Sequence, residues 1–339
     1  MTNGASTLGW GLIGASTIAK EWMIPAINAQ ADSKVVAVMS SSAERGKQYA
    51  ADNNIPRSYN SIEALLADPE IDVIYISTTN EKHKAQAMAS AKAGKHVLCE
   101  KPLALTLEDA KEMVAYCEAQ GVVIGTNHHL RNAVTHRTMR QMILDGAIGK
   151  PLGARVFHAV FLPPHLQGWR IKDPNTGAGV IMDITVHDTD TLRYVLNDEV
   201  EEVTALSAQQ GMGAGEIEDA VMGVMRFKNG ALAQFHDAFT IAHTTTGFQV
   251  HGTEGSLHAE DVMTQTPKGK ITLQRNDTSE EVVLGEHTNL YEHAVKAFNQ
   301  AAKGQGTPWA TGLDGVKSLA VALAVLESTR TGKTVKVAY

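Results

Sequence analysis

Cysteine is scarce in this sequence: two residues in 339, Cys99 in HVLCEKP and Cys117 in MVAYCEAQ. Both lie inside apolar segments and they form no ligand-spaced pair. That excludes a disulfide framework and leaves reduced core thiols of an intracellular protein. Long apolar runs are missing too. No stretch approaches the roughly 18 residues a membrane span needs. The opening MTNGASTLGWGLIGA has no basic segment ahead of its apolar part, so it reads as a first strand rather than an export signal. Lys/Arg-rich runs are absent, and a net charge of -7 gives no attraction to nucleic acid or to an anionic membrane. No Tyr-x-x-x-Lys occurs, which disfavours a short-chain dehydrogenase. What remains is a soluble, cytoplasmic protein with a small-molecule partner.

The length and a hydrophobic content of 43% support a core large enough to split into two domains. Up to about residue 127, short β-rich apolar runs (LGWGLIGA, KVVAVMS, DVIYIST, HVLCEK, VVIGTN) alternate with helical patterns, the mark of a doubly wound parallel sheet. One such pattern opens at Thr106 with Asp109 three residues later and stops at Gly121. Pro25 should kink the first helix or shorten it to about two turns. Beyond LDGAIGKP the runs become strand-like, with an Asn-Gly hairpin signal in KNGA, a helix at GVIMDITVHDTDTLRYVLN and two helices closing the chain. The expectation is an α/β Rossmann domain over 1–127 and an α+β domain over 128–339 with an open, mainly antiparallel sheet. The C-terminal helices are free to pack back on the first domain. Ligand is expected at the carboxyl ends of the parallel strands, facing the second domain.

GLIGASTIAKEW departs from the Gly-x-Gly-x-x-Gly/Ala dinucleotide turn at one position, with Gly14, Ser16 and Ala19 in its three places. Serine adds one hydroxyl, which lengthens the approach to a pyrophosphate without blocking it and offers a hydrogen bond. The second strand ends in VMSSSAERG, with no carboxylate for a ribose 2′-hydroxyl. Ser40, Ser41, Ser42 and Arg45 suit the 2′-phosphate of NADP instead. The plainer account, serines capping the next helix beside a solvated arginine, is compatible with phosphate contact.

Two constellations carry chemistry. Glu100-Lys101-Pro102 ends the HVLC strand, where a lysine can stabilise negative charge developing on a carbonyl oxygen. Asp183 and His187, four apart, share a helical face, and the imidazole suits proton transfer near neutral pH. Asp188 and Asp190 fall on other faces, where solvation or capping is expected. A zinc site from Asp183, His187, His128 and His129 is disfavoured, because neighbouring histidines on a strand point to opposite sides and no cysteine lies near them; no metal is expected. Trp169 and Arg170 in HLQGWR offer either a wall for a small-molecule pocket or, equally, a core tryptophan beside a surface arginine.

GLIGASTIA, CEKPLALTLEDA and the spacing of Gly177, Gly179, Asp183 and His187 resemble the glucose-fructose oxidoreductase / inositol dehydrogenase / MocA family over essentially the whole chain. The resemblance implies reduction of a sugar ketone by NADPH, with Lys101 and His187 catalytic and Asp183 at the substrate. The cofactor set it implies is Gly14, Ser16, Thr17, Ile18, Ala19, Ser40, Ser41, Arg45, Ser77, Thr78, Asn80, His83, Glu100, Lys101, Asn127, Trp169 and Arg170. Another sugar or polyol dehydrogenase and a non-catalytic NADP-binding regulator are the alternatives, and a monomer and a homo-oligomer stay equally open.

Overall fold

The computed structural model describes residues 7–339. Residues 1–6, part of the opening read above as carrying no export signal, lie outside the described residues. The chain runs through β1 (Leu8–Ile13), a π-helical turn (Ala19–Met23) continuing into α1 (Ile24–Asn28), β2 (Ser33–Met39), α2 (Ala43–Asp52), β3 (Arg57–Tyr59), α3 (Ile62–Leu66), β4 (Val73–Ile76), α4 (His83–Lys92), β5 (His96–Cys99), α5 (Leu107–Ala119) and β6 (Ile124–Thr126). These strands form a parallel sheet in the order β3-β2-β1-β4-β5-β6, the Rossmann order. β1 and β4 are buried at every position, the pattern of strands covered on both faces.

Thr106 caps α5 by accepting from the Asp109 backbone N–H at 3.1 Å. At Pro25, expected to kink the first helix or shorten it to about two turns, the helical stretch runs on from the π turn into α1. The missing N–H is absorbed by the π turn just before the proline, which falls in the first turn of α1. The short edge strand β3, with little apolar pattern of its own, was not anticipated.

Then come α6 (Val134–Leu144), β7 (Pro151–Ala159), a π turn (Ile181–Thr185) leading into α7 (Val186–Leu196), β8 (Val200–Ala208), β9 (Ala220–Phe227), β10 (Leu232–Ala238), β11 (Gly247–Gly252), β12 (Ser256–Glu260), β13 (Lys270–Arg275), β14 (Thr278–Glu281), α8 (Leu290–Ala302), α9 (Gly312–Thr331) and β15 (Val335–Lys336). The second sheet has the order β14-β13-β12-β11-β7-β10-β9-β8-β15. Every pair in it is antiparallel except β7 with β10. Its strands alternate buried and exposed residues, and Leu206, Met222, Val224 and Leu232 are exposed.

The chain divides into two compact units. One holds the chain through His128 together with Tyr291–Gly315; the other holds His129–Leu290 and Val316–Tyr339. In the first, Trp10 is fully buried, its ring centroid 5.6 Å from that of Phe298 and its indole N–H donated to Asn299 at 3.2 Å. Cys99 and Cys117 are free thiols, buried in this unit. Among the described residues no helix is long and apolar enough to cross a membrane.

Candidate active site

In the first unit, the turn after β1 requires its glycine. Gly14 has φ +111°, and a Cβ there would stand 3.1 Å from the Ser77 carbonyl oxygen. Ser16, expected to offer a hydroxyl to a phosphate, also has partners within the protein. Its hydroxyl accepts from the Ala19 N–H at 3.2 Å and lies 2.7 Å from the Ser77 hydroxyl, so it caps the first helix and ties the turn to the end of β4. Ala19 is fully buried, as a residue that lets helix and strand close up must be. Side chains of α2 brace the turn: Tyr49 donates to the Ser16 carbonyl at 2.8 Å and Arg45 to the Ala15 carbonyl at 2.6 Å. Thr17 is exposed at the helix start and Ile18 half-buried.

At the end of β2, Ser42 caps α2, accepting from the Arg45 N–H at 3.3 Å, while Ser40 is buried and accepts from the Ser42 N–H at 3.4 Å. Ser41 and Arg45 are exposed. Capping of α2 therefore falls to Ser42, and the Ser41 side chain takes no part in it.

The ends of β4, β5 and β6 carry the rest of the first unit's candidates. Glu100 accepts from the Tyr75 hydroxyl at 2.5 Å and from Asn127 Nδ2 at 2.6 Å, yet desolvation still pushes its carboxyl up. Asn127 is buried, and its Oδ1 meets no donor among the described residues. Thr78 donates to Gln86 at 2.7 Å, and Asn80 is buried. His83 is fully buried with one ring nitrogen 2.9 Å from the Pro102 carbonyl and the other 3.2 Å from that of Thr78. It braces the two loops that carry Thr78 and Lys101, and burial pushes its pKa down. Lys101, half-buried, directly follows Glu100.

The second unit carries Asp183 in the π turn and His187 in the first turn of α7. Glu218 fastens the start of this segment: its backbone carbonyl accepts from the Val180 N–H at 3.1 Å and its carboxylate from the Ile181 N–H at 3.2 Å. Gly179, at φ +111°, is the residue that leaves room, because a Cβ there would meet the Glu218 carboxylate oxygen at 2.2 Å. Gly179→Ala is expected to cost about 1–3 kcal/mol of unfolding free energy through backbone strain and this clash. A denaturant midpoint equal to that of the parent would rule out the crowding.

Arg170 Nε lies 3.2 Å from Asp183, and the guanidinium stacks 4.7 Å from the Trp169 ring. The His129 ring meets that of His187 edge-on at 4.9 Å. Asp183, Arg170, Trp169, His187 and His129 thus belong to one unit, whereas Lys101 and the glycine turn belong to the other.

Two expectations are corrected. Asp188 and Asp190 are neither solvated nor capping: both are buried, Asp188 2.7 Å from His158 and Asp190 bound to Arg131 by two bonds of 2.6 and 2.7 Å. His128 and His129 do not alternate across a strand, because β6 ends at Thr126 and His129 already opens a 3-10 turn (His129–Asn132). Glu218 gave no sign in sequence of its contact with the helix start. Among the described residues no group of three or more His, Cys, Asp or Glu side chains is placed to hold a metal ion.

Residues 8–128 match the family model described as an oxidoreductase family with an NAD-binding Rossmann fold, and residues 136–258 match the GFO/IDH/MocA C-terminal domain. The chain is 58% identical over 328 residues to 1,5-anhydro-D-fructose reductase of Ensifer adhaerens, covering 97% of this chain and 98% of that protein. It is 28% identical over 313 residues to myo-inositol 2-dehydrogenase of Thermotoga maritima, covering 90% and 91%. The crystal structure of aldose-aldose oxidoreductase from Caulobacter crescentus complexed with glycerol has the same fold, with a TM-score of 0.89 at 24% identity over 97% of this chain and 99% of that one.

Proposed function

Because the chain belongs to the GFO/IDH/MocA family of oxidoreductases, we propose that it uses NADPH to reduce the ketone of 1,5-anhydro-D-fructose to the alcohol of 1,5-anhydro-D-mannitol. The observation that carries the reading is the placing of Asp183 and His187 four residues apart on one tethered segment, with Arg170 on the carboxylate and His129 on the imidazole. The high identity to the Ensifer reductase over nearly the whole chain supports the choice of substrate.

The first unit's residues fit a nicotinamide dinucleotide. Gly14 keeps the turn free of a side chain, the helix start after Ser16 offers backbone N–H groups, and the buried Asn127 Oδ1 is an acceptor in want of a donor such as a carboxamide. Hydride comes from the reduced nicotinamide when it is bound. His187 donates the proton to the forming alkoxide, the Lys101 ammonium polarises the carbonyl oxygen, and Asp183 holds substrate hydroxyls or the imidazole in place.

Ser41 and Arg45 are the residues that would receive a 2′-phosphate. Arg45→Ala is expected to raise KM for NADPH roughly 10- to 100-fold, the loss of one charge-assisted contact, with a far smaller effect on NADH. Equal effects on the two cofactors would sink the NADP assignment. The substrate is tested by following NADPH oxidation with 1,5-anhydro-D-fructose, myo-inositol and glucose in parallel and assigning the product's configuration. Turnover confined to another sugar or polyol would replace it.

A further inference from the structure

The segment bearing Asp183 and His187 is tethered on another face by buried ionisable groups that have no part in the proposed proton transfer. Thr185 and Asp188 are three residues apart, so they share a helical face and bracket His187 in sequence. Asp188, on α7, and Asp237, on β10, are both fully buried. β10 runs beside β7 in a register that sets Asp237 opposite His158. Asp188 Oδ1 accepts from His158 Nδ1 at 2.7 Å, and Asp237 Oδ2 accepts from the Thr185 hydroxyl at 2.6 Å. The two remaining oxygens, Asp188 Oδ2 and Asp237 Oδ1, are buried and meet no N–H or O–H donor among the described residues. Each carboxyl thus keeps one buried oxygen without a donor, and the β7–β10 register places Asp237 beside the histidine that holds Asp188. Ionised carboxylates only accept, so a proton held between the two would satisfy both oxygens.

We propose that Asp188 and Asp237 hold one proton between them, and that this pair is the positioning element that fixes the turn presenting Asp183 and His187. The proton belongs on Asp237. Asp188 keeps its charge against the His158 N–H, while the other partner of Asp237 is a neutral hydroxyl. Burial pushes both carboxyls up, Asp237 further because the Asp188 charge stands beside it. The groups facing the pair are His158 from β7 and Thr185 from the π turn. His136 of α6 stands behind His158 and is held neutral by burial, its pKa pushed down to about 4.

A positioning role follows from where the anchors fall. A π turn is a local departure from the regular helix, so its side-chain fastenings help to fix its geometry. Thr185 and Asp188 supply them on either side of His187. Because the folded pair binds its proton more tightly than free carboxyls do, its contribution to stability is full at acid pH. It declines as the pH rises through and above the ordinary carboxylate range. Loss of the last proton leaves two buried like charges, and turnover should fall on the alkaline side.

Asp237→Asn keeps both hydrogen bonds without a titrating proton, its amide donating to Asp188 and its carbonyl accepting from Thr185. The expected result is kcat within about twofold of the parent at neutral pH and no alkaline fall from this pair. The infrared difference spectrum, parent minus variant at mildly alkaline pH, should contain the carbonyl band of a protonated carboxylic acid. Asp237→Ala, which strips the donor from Asp188 and the acceptor from Thr185, should lower kcat by about 10²-fold with KM little changed. Absence of the acid band, or an Asp237→Ala enzyme with the parent's kcat and pH profile, overturns the proposal. If Asp237→Ala does not fold, the infrared band and alkaline limb of Asp237→Asn decide it. The positioning role rests on His187 as the proton donor, but the shared proton does not. An acid band without ketone reduction would count against the proposed function alone, and reduction without the band against the pair alone.

Discussion

His187→Asn is expected to lower kcat for ketone reduction by about 10²- to 10⁴-fold while KM for the ketone changes little. Asparagine keeps a polar side chain near the place of the imidazole and removes the group that supplies a proton as the alkoxide forms. The loss should therefore fall on the transition state and not on ground-state binding. The variant should fold, because the segment is fastened elsewhere, through Thr185, Asp188 and Glu218. Steady-state kinetics with NADPH and 1,5-anhydro-D-fructose would check this. A kcat within a few-fold of the parent would remove His187 from the chemistry, and the same outcome for Lys101→Ala would revive a non-catalytic, NADP-binding role.

The second large effect concerns stability. Asp190→Ala is expected to destabilise the second unit by about 3–5 kcal/mol, because it removes the bidentate carboxylate partner of a charged, buried Arg131. The pair is bidentate, at 2.6 and 2.7 Å, with Arg131 5% and Asp190 1% exposed. Arg193 adds a second cation 3.8 Å from Asp190. Removing the carboxylate leaves two neighbouring guanidinium groups without the anion between them, while Glu199 still accepts from Arg193 and Lys317. Arg131 also lies in the 3-10 turn that begins with His129, so the loosened turn should disturb the ring contact with His187 as well. Denaturant unfolding of parent and variant measures the difference; a loss under about 1 kcal/mol would make the pair no stronger than a surface ion pair.

What sequence revealed and what it concealed differ by range. Thr106 with Asp109, the glycine turn at Gly14, Asn229-Gly230 between two alternating strands, and Asp183 with His187 are local patterns, and a few residues suffice to state each of them. The doubly wound sheet and the open, mainly antiparallel sheet were legible for the same reason, since each strand and helix declares its own period. Asp188 and Asp190 were misjudged because their partners are remote: His158 stands thirty residues before Asp188 and Arg131 fifty-nine before Asp190. A carboxylate three turns into a helix pattern carries no mark of a guanidinium from another element. The π turns at Ala19–Met23 and Ile181–Thr185 were equally hidden, because hydrophobic periodicity barely distinguishes a five-residue widening from an ordinary helix. Ser16 was half legible: its size was read correctly, but its hydroxyl turns inward to the Ala19 N–H and Ser77.

The first unit is discontinuous, and that has a consequence for how the protein is made. Its opening strand places Trp10 against Phe298 and Asn299, residues separated from it by nearly the whole second unit. During synthesis the ribosome must deliver 299 residues before the indole of Trp10 can find its acceptor. The amino-terminal sheet therefore waits, partly uncovered, while the second unit emerges, and the nascent chain relies on that second unit folding promptly.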